Sequence, residues 1–562
     1  MSVLETEKKG TEPLPDYGAG SDTDSARHLA GNADGLQRRL DNRQIQLVAI
    51  GGSIGTALFI SIGTALAKGG PASLLISWTL YSLNMGMINN CLTEMSTLMP
   101  VSGGFIRLAG LWVDDAFGFM AGWNFFFYEA LLIPFEITAL NLVLTFWAPV
   151  IAEPGPMVGF CIACIVSYGL LNIVAVRIFG EAEFWLSGGK IILIFILFMF
   201  TLVTMCGGNP QHDAYGFRYW NDPGPFAEYL SEGHLGRFEG FLGALWGGCF
   251  AIVGPEYISL VAAEAKRPRT YIKQAFKTVY WRFGLFFFGS ALCVGIVLPY
   301  NDPKLVAIAT GAESSGTAEA APYVIAMKNL GIGVLPHIVN ALIFTSIYSA
   351  GNTYTYCATR ILYSLALEGR APRILTKCTK NGVPIYCFAV VMCFPFLSFL
   401  QVSGGSAKAL DWLVRLITAG GLINYFVITT TYIRFWKALK VQGVSRDDFP
   451  YKGWFQPYCA YIGLAVECFV ILGSGYESFR PPNVETFWSN YTMVVVAPIL
   501  FFGWKLIKKT KFVRSHEIDL IYQRPIIDAY EANLTGRPTG FWEEMVALVG
   551  IKKRKKRDPE KN

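Results

Sequence analysis

The sequence has little charge and almost no histidine. Asp, Glu, Lys and Arg make up 16% of its 562 residues, where about 25% is usual in soluble domains. That shortage argues against an ordinary water-soluble enzyme. The net charge of +6, from 47 Lys and Arg against 41 Asp and Glu, is too small to suggest a nucleic-acid binder, and most of its clusters lie beside apolar runs, so no nucleic acid is expected as partner. The five histidines, at 28, 212, 234, 337 and 516, show no ligand spacing, and no metal site is expected. Most of the twelve cysteines sit singly in apolar runs, as Cys91, Cys249, Cys293, Cys393 and Cys468 do, which is the pattern of small core side chains rather than of a disulfide framework. Cys161 and Cys164 form a C-x-x-C within the apolar run PMVGFCIACIVSYGLL, which lacks the strand-to-helix context of a redox site. No phosphate-binding glycine loop and no paired nucleophile and base are recognisable, so neither a cofactor nor enzymatic activity is expected. The first twenty residues contain no apolar core and do not read as a signal peptide.

Apolar side chains are what the sequence has in excess: 53% of residues, with 41 Phe and 14 Trp. A membrane-crossing helix needs about 20 mostly apolar residues, and twelve stretches qualify. They run roughly from Gln46 to Leu66, Ala72 to Leu92, Phe117 to Trp147, Met157 to Val176, Ser187 to Cys206 and Phe241 to Ala263. The second six run roughly from Phe283 to Tyr300, Val334 to Leu362, Ile385 to Val402, Leu413 to Tyr432, Tyr458 to Gly473 and Tyr491 to Lys508. The fold class expected is therefore an all-α membrane protein. Loops on one side carry eighteen Lys and Arg, among them Lys266, Arg269, Arg373 and Arg446, and loops on the other side carry seven. Positive-rich loops face the cytoplasm, which predicts that both termini are cytoplasmic.

Residues 1–43 are polar and rich in Gly, Asp and Ser, and read as a disordered tail before a transport domain at 44–508. Residues 509–562 form a second tail, with an amphipathic stretch around Phe541 to Val549 and the run KKRKKR at 552–557. Such a run either meets acidic lipid at the inner leaflet or is simply solvated.

Two spans are interrupted by residues that weaken a helix. Span one reads IGGSIGTALF, with Gly51, Gly52 and Gly55, and span six reads GALWGGCFAIVGPEY, with Gly247, Gly248, Gly254 and Pro255. Broken spans at matching positions of two repeats point to a transporter's midplane binding site, where half-helix ends hold charged groups. Glycines at 51 and 55 also suit a helix-packing face. Packing accounts for Gly254 but not for Pro255 or for Glu256, an acid that is costly within a bilayer. In span three, Glu129 and Glu136 lie seven residues apart, about 20° from alignment on one helix face. Two intramembrane acids on one face suit proton exchange or a positively charged ligand; the alternative is that one, more readily Glu129, simply meets water. Lys190 follows Glu181 and Glu183 into apolar sequence, either as a buried cation or snorkelling to the surface.

In order and spacing, IGGSIGTALF, TEMSTLMPVSGGF, FGEAEFWLSGGK, GPEYISLVAAEAKRPR, YNDPKL and SAGNTYTYCATRILYSLALEGRAP resemble the fungal amino-acid permeases of the amino acid, polyamine and organocation superfamily. The resemblance covers nearly all of residues 38 to 520. FFFYEALLIPFEI and GGNPQHDAYGFRYW are similar to the branch that includes a yeast plasma-membrane regulator of polyamine and carnitine transport. It implies a LeuT-like fold of two inverted five-helix repeats plus two helices, importing substrate across the plasma membrane by proton symport. By this likeness, backbone groups of Ser53, Ile54, Gly55 and Thr56 meet a substrate carboxylate. Carbonyls from Phe250 and Ala251 to Gly254 meet its ammonium, and the Phe250 ring closes over it. Glu136 matches a glutamate linked to proton coupling, and Lys190 a lysine that replaces a sodium ion. Ala57 stands where glycine is usual, Ile252 where an aromatic is common and Pro255 where threonine is common, which leaves an organic cation or zwitterion open as substrate. The competing reading is a membrane sensor that binds such compounds and signals; the tails offer no recognisable signalling domain, but Lys8 and Lys9 are candidate sites for trafficking or ubiquitin machinery. An ion channel fits poorly, since no pore-loop or charged-ring signal is present.

Overall fold

The computed structural model describes residues 38, 40–51, 54–174, 176–310, 321–379, 383–404, 406–534, 537–541 and 543–544. Among these it is all-helical, with no β-sheet. Within a bilayer a helix satisfies its own backbone N–H and C=O groups, so long apolar runs have no cheaper conformation. Ten helices among the described residues are long and apolar enough to cross a membrane.

The difference from twelve expected spans has two causes. The first span is cut: α1, Asn42–Gly51, is ten residues long, and the chain resumes as α2, Ala57–Leu98. α2 runs on through the second expected span, bent at Gly70, whose φ of 76° precedes Pro71. The eighth, α9, Leu335–Leu367, is 33 residues long but carries the buried polar side chains Ser346, Ser349, Asn352, Thr353 and Thr355. Its polar face is legible only as part of a bundle interior. The other spans are α3 (Asp115–Leu144), α4 (Pro154–Val174), α5 (Val176–Met205), α6 (Gly233–Ala251) and α7 (Pro255–Leu260) as two halves of one, and α8 (Pro268–Val297). After α9 come α10 (Ile385–Ser403), α11 (Ser406–Gln442), α12 (Tyr458–Gly473) and α13 (Val484–Lys508).

α3 is the central helix. It packs against both α9 and α11, and 89% of its most apolar window is buried in protein, against 22% for the peripheral α13. A polar residue on α3 therefore faces other helices, whereas one on α13 mostly faces lipid. Asp114 anchors the start of α3, accepting a hydrogen bond from the Ala116 N–H at 2.9 Å. Burial opposes its ionised form, yet Lys505, Thr510 and that N–H together hold the Asp114 carboxyl below the usual carboxylate range.

The basic-loop face is braced by the segment after α13. The Val513 N–H donates to the Val113 carbonyl at 2.9 Å, the Trp112 indole to the Asp519 carbonyl at 3.1 Å, and the Gln442 amide to the Ile518 carbonyl at 2.8 Å. A short helix, α14, Arg524–Ala532, follows and buries Ile527 and Tyr530. Residues 1–37, and with them Lys8 and Lys9, lie outside the described residues, as do 545–562 with the KKRKKR run.

Candidate binding site at two helix breaks

α1 ends at Gly51, and Ile54 and Gly55 form a bend before Thr56 restarts the helix. α6 ends at Ala251 because Ile252 leaves the helical region, at φ −93° and ψ 85°. Gly254 then takes φ 131°, a conformation that L side chains rarely adopt, and Pro255 opens α7 with its φ already suited to a first helical turn. The halves pass each other in opposite directions: α1 packs on α7, and the start of α2 packs on α6. Both breaks thus sit side by side, where two half-helices that run opposite ways meet.

Both breaks line one small pocket, closed down to about 20 Å³ of free space, enough for a single water. Span one lines it with Gly55, Thr56 and Ala57, and span six with Phe250, Ala251 and Val253. α3 adds Tyr128, Leu132, Phe135 and Glu136, and α9 adds Tyr354. Phe135 and Phe250 meet edge to face with ring centres 5.3 Å apart, closing one wall. The start of α2 presents the positive end of a helix dipole to this space, and the end of α6 presents a negative end. Opposite partial charges around one small cavity suit a zwitterion.

Among the described residues, Glu136 is the only carboxylate in the lining. It is 1% exposed and accepts a hydrogen bond from the Thr56 hydroxyl at the span-one break. Lys190 on α5 is also buried, 1% exposed, and acts electrostatically on Glu136; it does not snorkel. α5 packs on α1. Glu256 is buried at the start of α7, where both its oxygens accept from the Gly254 N–H, at 3.1 and 3.3 Å, and from the Tyr425 hydroxyl, at 3.1 Å each. That carboxylate occupies the positive end of α7 itself. Glu129 is fully buried rather than water-exposed, because α3 is central, and it faces Tyr257 and Glu256. α3 runs continuously through Pro134, so Glu129 and Glu136 both point to the broken helices, each to a different one.

Of the residues the sequence offers as a substrate site, Gly55, Thr56, Phe250 and Ala251 line the pocket. Ile54 and Gly254 lie at the breaks but outside the lining, and Ser53 lies outside the described residues. Ala57 does line the pocket, while Ile252 is buried outside its lining.

A model of the amino acid permease family matches residues 44–517. The chain belongs to that family. It is 44% identical to the general amino acid permease AGP2 of Saccharomyces cerevisiae over 526 residues, covering 92% of this chain and 87% of the relative. It is 36% identical to a proline-specific permease of Emericella nidulans, covering 96% and 98% of the two chains. It is also 32% identical to a lysine-specific permease of Saccharomyces cerevisiae, covering 92% and 83%. This permease is thus a multi-pass membrane transporter and not an enzyme.

Four lining residues of the permease pocket were not singled out from sequence: Tyr128, Leu132, Phe135 and Tyr354; Val253 lies within the stretch to Gly254 whose carbonyls were. Three of them carry a usable signal. Tyr128, Leu132 and Phe135 recur at the i, i+4, i+7 spacing of one helix face and lead directly to Glu136. Tyr354 and Tyr425, the partner of Glu256, come from distant helices and carry no such signal.

Proposed function

We propose that this permease imports amino acids or closely related amines across the plasma membrane by proton symport, with Glu136 as the proton-carrying group and both termini in the cytoplasm. The observation that carries the reading is the position of Glu136. A buried acid joins the span-one break to the pocket that both breaks line, so its protonation and the occupancy of the pocket bear on the same few atoms. A substrate carboxylate lies at the start of α2, near Gly55 and Thr56, and its ammonium at the end of α6, near Phe250 and Ala251. Lys190 supplies the fixed positive charge behind α1, and Glu256 with Tyr425 holds the break in span six.

The names of the relatives support amino acids as the substrate class and differ in which one. A cationic amine is favoured by a separate observation: four aromatic residues, Tyr128, Phe135, Phe250 and Tyr354, line the same pocket as Glu136, and aromatic faces attract cations. Uptake into cells lacking their own permeases, with labelled proline, lysine, glutamate, carnitine and spermidine at two external pH values, tests the whole reading. Acid-stimulated accumulation of at least one compound is expected. Binding of these compounds without any accumulation would favour the sensor reading instead.

A further inference from the structure

α1 is joined to the pocket only through the break at its end, so what holds its other end decides whether it can swing. At the basic-loop face that end is held by an ion pair between Asp41 and Lys266 at 2.7 Å and by three sets of hydrogen bonds at residues 40–43. Leu40 pairs with the loop after α7, its N–H donating to the Glu264 carbonyl at 2.9 Å and its carbonyl accepting from the Lys266 N–H at 3.0 Å. The Asn42 side chain donates to Gln274 at 2.8 Å. The third set comes from the far end of the chain. The Arg43 N–H, in the first turn of α1, donates to the Glu544 carboxylate at 2.8 Å, and Asn42 donates to the Thr539 carbonyl at 3.4 Å. A carboxylate at that position also complements the helix dipole of α1.

The same C-terminal segment is tied to the loop after α7 and to the first turns of α8. The Tyr530 hydroxyl donates to the Lys266 carbonyl at 3.0 Å, the Arg269 N–H to Glu531 at 2.9 Å, and Tyr271 and Thr539 share a hydroxyl contact at 3.0 Å. Arg269 also pairs with Asp528, and Arg38 stacks over the Tyr530 ring at 4.8 Å. Together these contacts bridge three sequence-distant pieces: the entry to α1, the loop that follows the other broken span, and α14 with Thr539 and Glu544.

We propose that the C-terminal segment is a strap that clamps the outer end of α1 to the loop after α7, and that release of α1 from it opens the pocket to the basic-loop face. Rigid spans need a movable element to let substrate out, and α1 is a ten-residue helix cut from α2 by the break, although it also packs on α5, α7, α8 and α9. The strap sets how often it moves. The second half of this inference rests on the transport reading above; the first half, that the strap pins α1, does not.

Two measurements on the full chain in lipid nanodiscs or vesicles separate the parts. The first is hydrogen exchange in the double variant Tyr530→Ala with Glu544→Ala. Amides of residues 43–51 are expected to exchange at least about tenfold faster while those of α3 are unchanged, the signature of local opening. Unchanged exchange in α1 would overturn the strap whatever the protein transports. The second uses Asn42→Cys with Thr539→Cys in a background where the exposed Cys206, Cys378 and Cys393 are serine, bridged by a bis-maleimide containing a disulfide. The bridged protein is expected to keep binding labelled substrate but to lose uptake by about tenfold or more, with recovery on reduction. Uptake at the unbridged rate would overturn the gating role. No uptake before bridging would instead count against the transport reading and leave the exchange result to judge the strap.

Discussion

Replacing Glu136 by Gln removes a titrating proton from the pocket while nearly keeping its shape. The Thr56 hydroxyl that donates to the carboxylate can donate equally to the amide oxygen, so the link between α3 and the span-one break persists. What is lost in binding is the difference between a charge-assisted and a neutral hydrogen bond, about 1 kcal/mol, or roughly fivefold in affinity. The loss in coupling is far larger. A proton falling through one pH unit supplies about 1.4 kcal/mol, and a potential of about 100 mV adds about 2.3 kcal/mol. Their sum supports roughly 500-fold accumulation of a neutral substrate per proton. Glu136→Gln is expected to bring the accumulation ratio down to about one and to flatten the pH dependence of uptake, while exchange of labelled for unlabelled substrate continues within about tenfold of wild type. The assay is steady-state uptake into energised vesicles, with and without a protonophore, at matched surface density. A variant that still accumulates substrate several-hundredfold with the wild-type pH response would refute the assignment and turn attention to Glu129, Glu256 and Lys190. If amine affinity falls much further than neutral amino-acid affinity, the carboxylate is a direct ligand of the cation.

At Gly55 a first side-chain carbon would meet Ala350 and Glu136 at an ordinary 3.5 Å. Gly55→Ala should therefore keep binding within about tenfold, whereas the branches of Gly55→Val, about 1.5 Å further out, should abolish it at normal surface expression; equilibrium binding of labelled substrate decides. Tyr425→Phe removes one of the donors to Glu256 and is expected to destabilise the protein by about 1.5–3 kcal/mol, seen as a lower melting temperature; an unchanged midpoint would show that Glu256 needs no such partner. Gly254→Ala forces a side chain into φ 131° and should cost about 1 kcal/mol or more, with a larger loss of transport than of surface expression. Tags at residue 2 and residue 562 should resist external protease in intact cells, as the eighteen-to-seven loop bias requires; cleavage of either would reverse the orientation.

Much of this permease follows from local sequence because the bilayer leaves so few choices. Long apolar runs become helices, and Gly51 with Gly55, or Gly254 with Pro255, interrupt them wherever they stand, so both breaks were legible without a partner in view. The i, i+7 spacing put Glu129 and Glu136 on a common face for the same local reason. Tertiary structure decided everything that depends on which helix lies beside which. α3 is central, so Glu129 is buried although its place along the chain suggested water, and Lys190 turns inward to Glu136 instead of snorkelling. Tyr354 and Tyr425 join the site from α9 and α11, more than 200 residues from the span-one break, and no periodicity links them to it. In sequence the C-terminal segment reads as a tail that either meets acidic lipid or is solvated, because its charges look free. They are taken up by backbone groups at the ends of helices that only folding brings within reach: Glu544 by the Arg43 N–H and Glu531 by the Arg269 N–H. A helix needs neighbours three and four residues away, whereas a pocket or a strap needs partners that the linear sequence keeps apart.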